Sequence, residues 1–167
     1  MNVTRKGRGA ADNPDPRFAE WRRETVDDGW GQAEEDLAPP LPTTLIVDTA
    51  KSVISYNTSP DIPFDRSINP YRGCEHGCSY CFARPTHAYL GLSPGLDFET
   101  RLVYKPDAVA ILREELAKPG YVCQPVALGI NTDAWQPGER KLRLTRGILE
   151  LLAECAHPDS IFTKSAL

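Results

Sequence analysis

Apolar residues occur along this chain in short groups, and from residue 43 onward their spacing predicts strands and helices. Thr44 to Val47 predicts a strand, and Ser52 to Tyr56 predicts a second strand positioned to pair with it. Ser67 to Arg72 has the character of a further strand, which leads into a group of cysteines. Phe98 to Tyr104 alternates enough to predict extended backbone as well.

Three helices are predicted by apolar spacing and by the residues that begin or end them. A short helix covers Phe82 to Leu90 and ends at a glycine-rich break. Pro106 opens the second helix, in which Leu112 and Leu116 lie on one apolar face. The third helix runs from about Lys141 to Cys155. An amphipathic helix needs a surface to cover, so the last two helices are expected to lie on a core.

An unbroken apolar segment, Pro125 to Ile130, is typical of a parallel strand that is buried on both faces. Ser160 to Lys164 predicts the next strand. The resulting order of strand, cysteine loop, helix, strand, helix, strand is that of repeated βα units, so we predict an α/β fold with a parallel sheet. Because no helix follows the last strand, residues 43–167 are expected to be the N-terminal part of a longer core.

Residues 1–42 differ from the rest of the chain in composition. They are rich in proline, glycine and charge, and they show no sustained period of 2 or 3.6 residues. Basic residues concentrate in 1–23, whereas 24–37 contain six acidic residues and no basic one. Blocks of one charge sign seldom fold. We therefore predict that 1–42 form a largely disordered leader rather than a nucleic-acid-binding arm.

The overall composition is that of an ordinary globular chain. The 167 residues are 41% hydrophobic and 25% charged with a formal net charge of −4, which suits one domain and gives no general attraction to nucleic acid. No segment has the roughly 18 apolar residues of a membrane span. Five cysteines, three of them close together, argue against a disulfide framework, so a reducing, cytoplasmic location is expected.

Cys74, Cys78 and Cys81 form a C-x3-C-x2-C group that carries the candidate chemistry. Thiolates at such short spacing suit zinc or an iron–sulfur cluster. With three protein ligands, a four-iron cluster keeps one iron open to another molecule. Zinc would want a fourth ligand, for which His76 and His87 are local candidates. The zinc alternative would make the chain a structural or nucleic-acid-binding module.

Other polar residues are expected to converge on the cysteines. In βα folds the loops after the carboxyl ends of the strands meet at one edge of the sheet. Asn131-Thr132-Asp133 ends one predicted strand, and Thr163-Lys164-Ser165 ends the next. Both segments should therefore face the cysteine loop, whereas Cys123 and Cys155 should be packing residues.

The segment from Arg72 to Arg84, RGCEHGCSYCFAR, resembles the cluster motif of the radical S-adenosylmethionine (SAM) enzymes. Within them it is most similar to the spore photoproduct lyase (DNA repair photolyase) group. The resemblance covers roughly Ser67 to the end of the chain, including the Asn-Thr-Asp and Thr-Lys-Ser segments. It implies a partial (β/α) barrel of the radical SAM type, with about the first three βα units present.

The resemblance also implies roles for individual residues. Cys74, Cys78 and Cys81 would each bind an iron of a [4Fe-4S] cluster, whose fourth iron would bind SAM. Tyr80 would line the adenine side of SAM. Asn131-Thr132-Asp133 would contact SAM where many members carry a Gly-Gly-Glu type motif, from which this chain departs. No residue is assigned a catalytic role.

In enzymes of this kind, one electron from the reduced cluster cleaves SAM to methionine and a 5′-deoxyadenosyl radical, which abstracts hydrogen from a substrate. The resemblance thus implies a lyase-like or other radical SAM enzyme, with a reductant such as flavodoxin or ferredoxin and nucleic acid as a candidate substrate. Repair lyases carry a cysteine hydrogen donor where this chain has Ile130-Asn131. The missing thiol argues against spore-lesion repair itself, and a shortened barrel would enclose a radical poorly, so this chain is expected to be inactive alone.

Overall fold

The computed structural model describes residues 8–21 and 41–165 of the chain. Within them the strands are β1 (Thr44–Val47), β2 (Ile54–Tyr56), β3 (Arg66–Ile68), β4 (Tyr71–Arg72), β5 (Arg101–Tyr104), β6 (Val126–Leu128) and β7 (Asp159–Ile161). The α-helices are α1 (Leu96–Thr100), α2 (Ala108–Leu116), α3 (Glu139–Leu142) and α4 (Leu144–Glu154), and a 3₁₀ helix covers Arg84–Leu90. No helix in these two ranges is both long enough and apolar enough to cross a membrane.

The strands form two small sheets. In the first sheet β5 lies between β1, to which it is parallel, and β4, to which it is antiparallel. The second sheet has the order β2-β3-β6-β7, in which β2 is antiparallel to β3 and the other pairs are parallel. The predicted pairing of β1 with β2 is wrong, because β1 pairs with β5 and places Leu45 opposite Leu102. Packing across the whole fold, rather than closeness in sequence, selects this partner.

The parallel strands of the second sheet are joined by long connections. The chain leaves β3, passes through the cysteine loop, α1, β5 and α2, and returns as β6; it then passes through α3 and α4 to β7. All three residues of β6 are buried, as its unbroken apolar sequence predicts. The fold is therefore mixed α/β with two small sheets, and the partial (β/α) barrel stays a prediction.

The main core is formed by residues of α2 and α4 together with β2, β3 and β6. The apolar faces predicted for the two amphipathic helices contribute to it. The buried members are Val53, Ile54, Ile68, Ala108, Leu112, Val126, Leu128, Ile148, Leu151 and Leu152.

Truncation of Leu112 should test this core. The side chain has no exposed surface and belongs to the buried cluster. Leu112→Ala is expected to lower the free energy of unfolding by about 2–5 kcal/mol, because it removes apolar contacts and leaves a cavity. Urea denaturation measures this loss, and Val122→Ala, at a side chain that is 62% exposed, is the control with an expected change within about 0.5 kcal/mol. Equal effects of the two variants would contradict this description of the core.

The third predicted helix is interrupted. Arg143 separates α3 from α4 and has a left-handed backbone (φ 52°). The Glu139 carboxylate accepts hydrogen bonds from the backbone N–H groups of Leu144 (3.1 Å) and Arg146 (3.0 Å). These N–H groups lie in the first turn of α4 and have no partner within the helix. Glu139, the first residue of α3, therefore caps the start of α4 with its side chain, a role that apolar spacing does not reveal.

Helix α1 covers residues for which extended backbone was predicted from Phe98 onward, so that boundary is wrong. Two N–H groups at the start of α1 find partners in the N-terminal segment. Leu96 N–H donates to Asp12 O (3.1 Å), and Asp97 N–H donates to Asn13 Oδ1 (2.9 Å). Partners so distant in sequence stabilise a helical turn that the local pattern does not predict.

Residues 8–14, which lie within the predicted leader, are hydrogen-bonded to α1. Arg8 Nη1 donates to Glu99 O (2.9 Å), and Arg8 Nη2 donates to Leu41 O (2.8 Å). Residues 1–7 and 22–40 lie outside the described residues, so the disorder predicted for them stays a prediction.

Candidate metal and cofactor site

The cysteine loop, residues 73–81, follows β4 directly and turns at two glycines. Gly73 (φ 81°) and Gly77 (φ 59°) have left-handed backbone conformations, which glycine adopts without a steric penalty. A Cβ atom on Gly73 would lie 2.8 Å from Phe98 O, and Cys74 N–H donates to the same oxygen (2.9 Å). The start of the loop is therefore held against α1.

The three cysteines of the loop are free thiols with different exposure. Cys74 is buried, whereas Cys78 and Cys81 are partly exposed. Burial raises the pKa of the Cys74 thiol to about 11. Without a bound cation this thiol is protonated at neutral pH, and a metal would release its proton on binding.

Cys123 and Cys155 are both exposed, so the prediction that they pack in the core is wrong. Cys123 lies in the loop before β6, outside the buried strand. Cys155 is the residue after α4, where the helix no longer covers the core. The two residues are therefore accessible free thiols remote in sequence from the cysteine loop.

The three loop cysteines line an open cavity of about 630 Å³. Residues 129–133, which follow β6, and 161–164, from the end of β7, form further parts of its wall. The structure thus brings the cysteines together with Asn131, Thr132 and Asp133. Tyr80 is not part of the wall, and its side chain is 77% exposed.

Asp133 connects the ends of the two parallel strands. Its Oδ1 accepts hydrogen bonds from Thr163 Oγ1 (2.7 Å) and Trp135 N–H (2.8 Å), and its Oδ2 accepts one from Lys164 N–H (2.7 Å). The carboxylate is therefore already occupied by donors of the chain. Thr132 is also engaged, because its hydroxyl donates to Tyr71 O (3.3 Å).

Lys164 extends from the end of β7 to the cysteine loop. Its Nζ lies 3.2 Å from Cys78 Sγ, contacts the Tyr80 hydroxyl and lies 3.9 Å from the centre of the Tyr80 ring. These two hydrogen bonds, the one with Tyr80 being the larger cause, raise the pKa of Lys164 above its usual value. The sequence places Lys164 at this edge of the sheet, with an ion pair to Asp133 as one interpretation, and does not indicate its contact with Cys78.

The described part of the cysteine site does not have the geometry that would hold a single metal ion. In residues 8–21 and 41–165, no three His, Cys, Asp or Glu side chains are grouped to hold one metal ion. His76 lines the cavity, but its Nε2 is 3.7 Å from Asp133 Oδ2 and has no hydrogen-bond partner in this part of the chain. His87, the other candidate zinc ligand, is buried and donates to Arg101 O. Thiolates of a four-iron cluster bind separate irons and need not converge on one point.

An ion pair that the sequence patterns do not indicate supports the cysteine loop through the Cys78 backbone. The Arg84 guanidinium contacts the Glu99 carboxylate, which is fully buried. Arg84 Nε also donates to Cys78 O (3.0 Å), and Arg84 Nη1 donates to Pro94 O (3.2 Å). The position of Arg84 in the motif was visible in the sequence, but nothing near it identified Glu99 as its partner.

His87 makes the stability of this region sensitive to acid. Its buried ring contacts Phe98 edge-on, and burial lowers the pKa of His87. Below about pH 6.5 the unfolded chain therefore binds more protons than the folded chain. The free energy of unfolding should be unaffected by His87 above this pH and should fall as the pH drops from it toward the folded-state pKa.

Urea denaturation at pH values from about 7.5 to 5 measures this effect. His87→Gln keeps a side-chain donor but cannot titrate in this range, so the variant should lose less stability on acidification than the original chain. The same acid-dependent loss in both proteins would show that His87 is not responsible.

The comparisons with known proteins identify relatives without a described activity. No family model matches the chain, and no solved structure matches it. Uncharacterized proteins of Mycobacterium bovis and of two strains of Mycobacterium tuberculosis are each 49% identical to it over 106 residues. The match covers 64% of this chain but 31% of each relative. The chain is therefore similar to about a third of a longer mycobacterial protein.

Proposed function

We propose that the chain is part of a radical SAM enzyme that binds a [4Fe-4S] cluster at Cys74, Cys78 and Cys81. The observation that carries the proposal is that these three free thiols line the same cavity as the residues that follow β6 and β7. Cysteine thiolates are the usual ligands of iron–sulfur clusters. Binding sites in α/β folds lie outside the carboxyl ends of parallel strands. The RGCEHGCSYCFAR segment gives the proposal its specificity, because its cysteine spacing resembles the cluster motif of these enzymes.

The donor set fits a cluster with one open iron. Each of the three cysteines would bind one iron, and a cavity of about 630 Å³ is within the range of small-molecule sites. When bound, the cluster and SAM supply the one-electron chemistry that starts hydrogen abstraction from a substrate. The protein has to bind these groups, orient them and exclude water.

Lys164 is suited to balance charge in this site. Its ammonium lies 3.2 Å from Cys78 Sγ, and its backbone N–H is held by Asp133. A cation at this position would offset part of the negative charge that the bound thiolates bring to the site. Asp133 would then be a positioning residue for Lys164, and its role as a direct contact to SAM stays a prediction.

Apolar side chains make up a large part of the wall of this open cavity. Among the described residues, several large apolar groups take part in the wall beside the cysteines and the strand ends. They are Ile62, Phe64, Phe82, Ile130, Ile161 and Phe162. Excluding water protects reactive species from side reactions. Asn131 adds an exposed polar side chain to this wall.

Anaerobic reconstitution with iron and sulfide tests the proposal. The expected result is a brown protein with broad visible absorption and about four irons per chain. Addition of SAM should change the electron paramagnetic resonance spectrum of the reduced protein, because SAM would bind the open iron. A colourless product, or a spectrum that is unaltered by SAM, would refute the proposal.

The same preparation separates iron from zinc. Stoichiometric zinc without iron or sulfide would support the alternative of a structural or nucleic-acid-binding module. A reductant such as flavodoxin or ferredoxin, a cytoplasmic location and a nucleic-acid substrate are parts of the enzyme proposal. The chain matches about a third of its relatives, so these partners are proposed for the longer protein.

A further inference from the structure

The N-terminal segment 8–14, called the strap below, is held by a buried carboxylate. Glu99 has no exposed surface. Its Oε2 accepts a hydrogen bond from Gly9 N–H (3.0 Å), and its Oε1 accepts one from Ala10 N–H (2.9 Å). The same carboxylate contacts the Arg84 guanidinium. Two consecutive backbone donors of the strap therefore complete the shell around a charge that is out of contact with solvent.

The same side chains connect the strap to the cysteine loop. Arg84 donates through Nε to Cys78 O (3.0 Å), so the guanidinium joins the Glu99 carboxylate to the backbone of a proposed cluster ligand. Phe98, the neighbour of Glu99, accepts the hydrogen bond from Cys74 N–H. Displacement of Glu99 would therefore disturb the backbone of both cysteines.

Two close approaches show that the fit of the strap depends on glycine. A Cβ atom built on Gly9 would lie 1.6 Å from Gly77 O, inside the cysteine loop. A Cβ atom on Gly95 would lie 2.3 Å from Asp12 O. Both distances are far below any van der Waals contact, so a side chain at either position would force the backbones apart. The strap is thus seated at both of its ends, on the loop and on the start of α1.

We propose that the strap is a structural part of the cysteine site. It packs against Gly77 of the cysteine loop, and it holds Glu99 and Arg84 in the arrangement that fixes the backbone of Cys74 and Cys78. It makes Arg8, Gly9 and Ala10, which donate hydrogen bonds to Glu99, positioning residues for the ligand set. The proposal deepens the proposed function, but its test needs neither iron nor SAM. It concerns the rigidity and accessibility of the metal-free loop.

Thiol labelling of the metal-free protein tests the proposal. Gly9→Ala should displace the strap without removing any cysteine from the chain. The matched control is Ala11→Val, which enlarges a neighbouring exposed residue. Iodoacetamide labelling is followed by peptide mass spectrometry, with the exposed thiols of Cys123 and Cys155 as internal references. In Gly9→Ala, Cys74 should react roughly tenfold faster relative to these references, because local opening exposes it. Ala11→Val should leave the ratio unchanged.

An unchanged Cys74 ratio in a folded Gly9→Ala protein would overturn the proposal. Hydrogen exchange in the unaltered protein gives a second test that needs no variant. The amides of Gly9 and Ala10 should be protected together with that of Cys74. Fast exchange at Gly9 and Ala10 would show that the strap is not seated, whatever the metal content of the site. Failure of iron reconstitution with a protected strap would instead count against the proposed function alone.

Discussion

Replacing Cys78 with alanine is expected to abolish cluster loading. The variant would keep two of the three proposed thiolates, and a four-iron cluster held by two protein ligands on a partly open cavity should be lost during purification. After anaerobic reconstitution, iron should fall from about four per chain to nearly none. Iron and sulfide analysis with the visible spectrum measures this loss.

Cys155→Ala is the matched control for Cys78→Ala. It removes a thiol that is exposed and remote in sequence from the loop, so the iron content should be unchanged. If Cys78→Ala retained its iron after reconstitution, Cys78 would not be a cluster ligand. A loss of iron in both variants would point to general damage rather than to a missing ligand.

Removal of the Arg84 side chain is expected to cause the largest loss of stability near the site. Arg84→Ala would leave the buried Glu99 carboxylate without its counter-charge. The free energy of unfolding should fall by about 3–5 kcal/mol, because a buried charge that loses its partner keeps its desolvation cost. Urea denaturation of the metal-free protein measures the change.

Arg113→Ala provides the contrast for Arg84→Ala. Arg113 pairs with Glu154 at 2.9 Å, but both side chains are 60% exposed. Water and salt screen such a pair, so its loss should cost no more than about 1 kcal/mol. Similar losses in the two variants would mean that the burial of Glu99 does not control the strength of the Arg84 interaction.

The candidate site was predictable where the information is local. The cysteine spacing and the glycines of the loop are contiguous in sequence, and polar residues directly follow the apolar segment of β6. In the structure these segments line one cavity. The positions of Asp133 and Lys164 at the strand ends were likewise predicted. Their connection through the Lys164 N–H was not, because it depends on the parallel register of β6 and β7.

Several boundaries were not predictable because their causes lie far away in sequence. Asp12 and Asn13 supply partners at the start of α1, so a turn forms where alternation predicted extended backbone. β1 pairs with β5 rather than with its neighbour in sequence. In both cases a long-range contact outweighs a weak local preference.

The sequence by itself determined the cysteine spacing, the buried character of β6 and the apolar faces of α2 and α4, because each depends on a period or spacing within one short segment. Only the tertiary structure decided the partner of β1, the ion pair of Arg84 with Glu99 and the seating of residues 8–14 on the cysteine loop. These features bring together residues that are distant along the chain. Which of them meet is selected by the burial of charge and apolar surface in the complete fold.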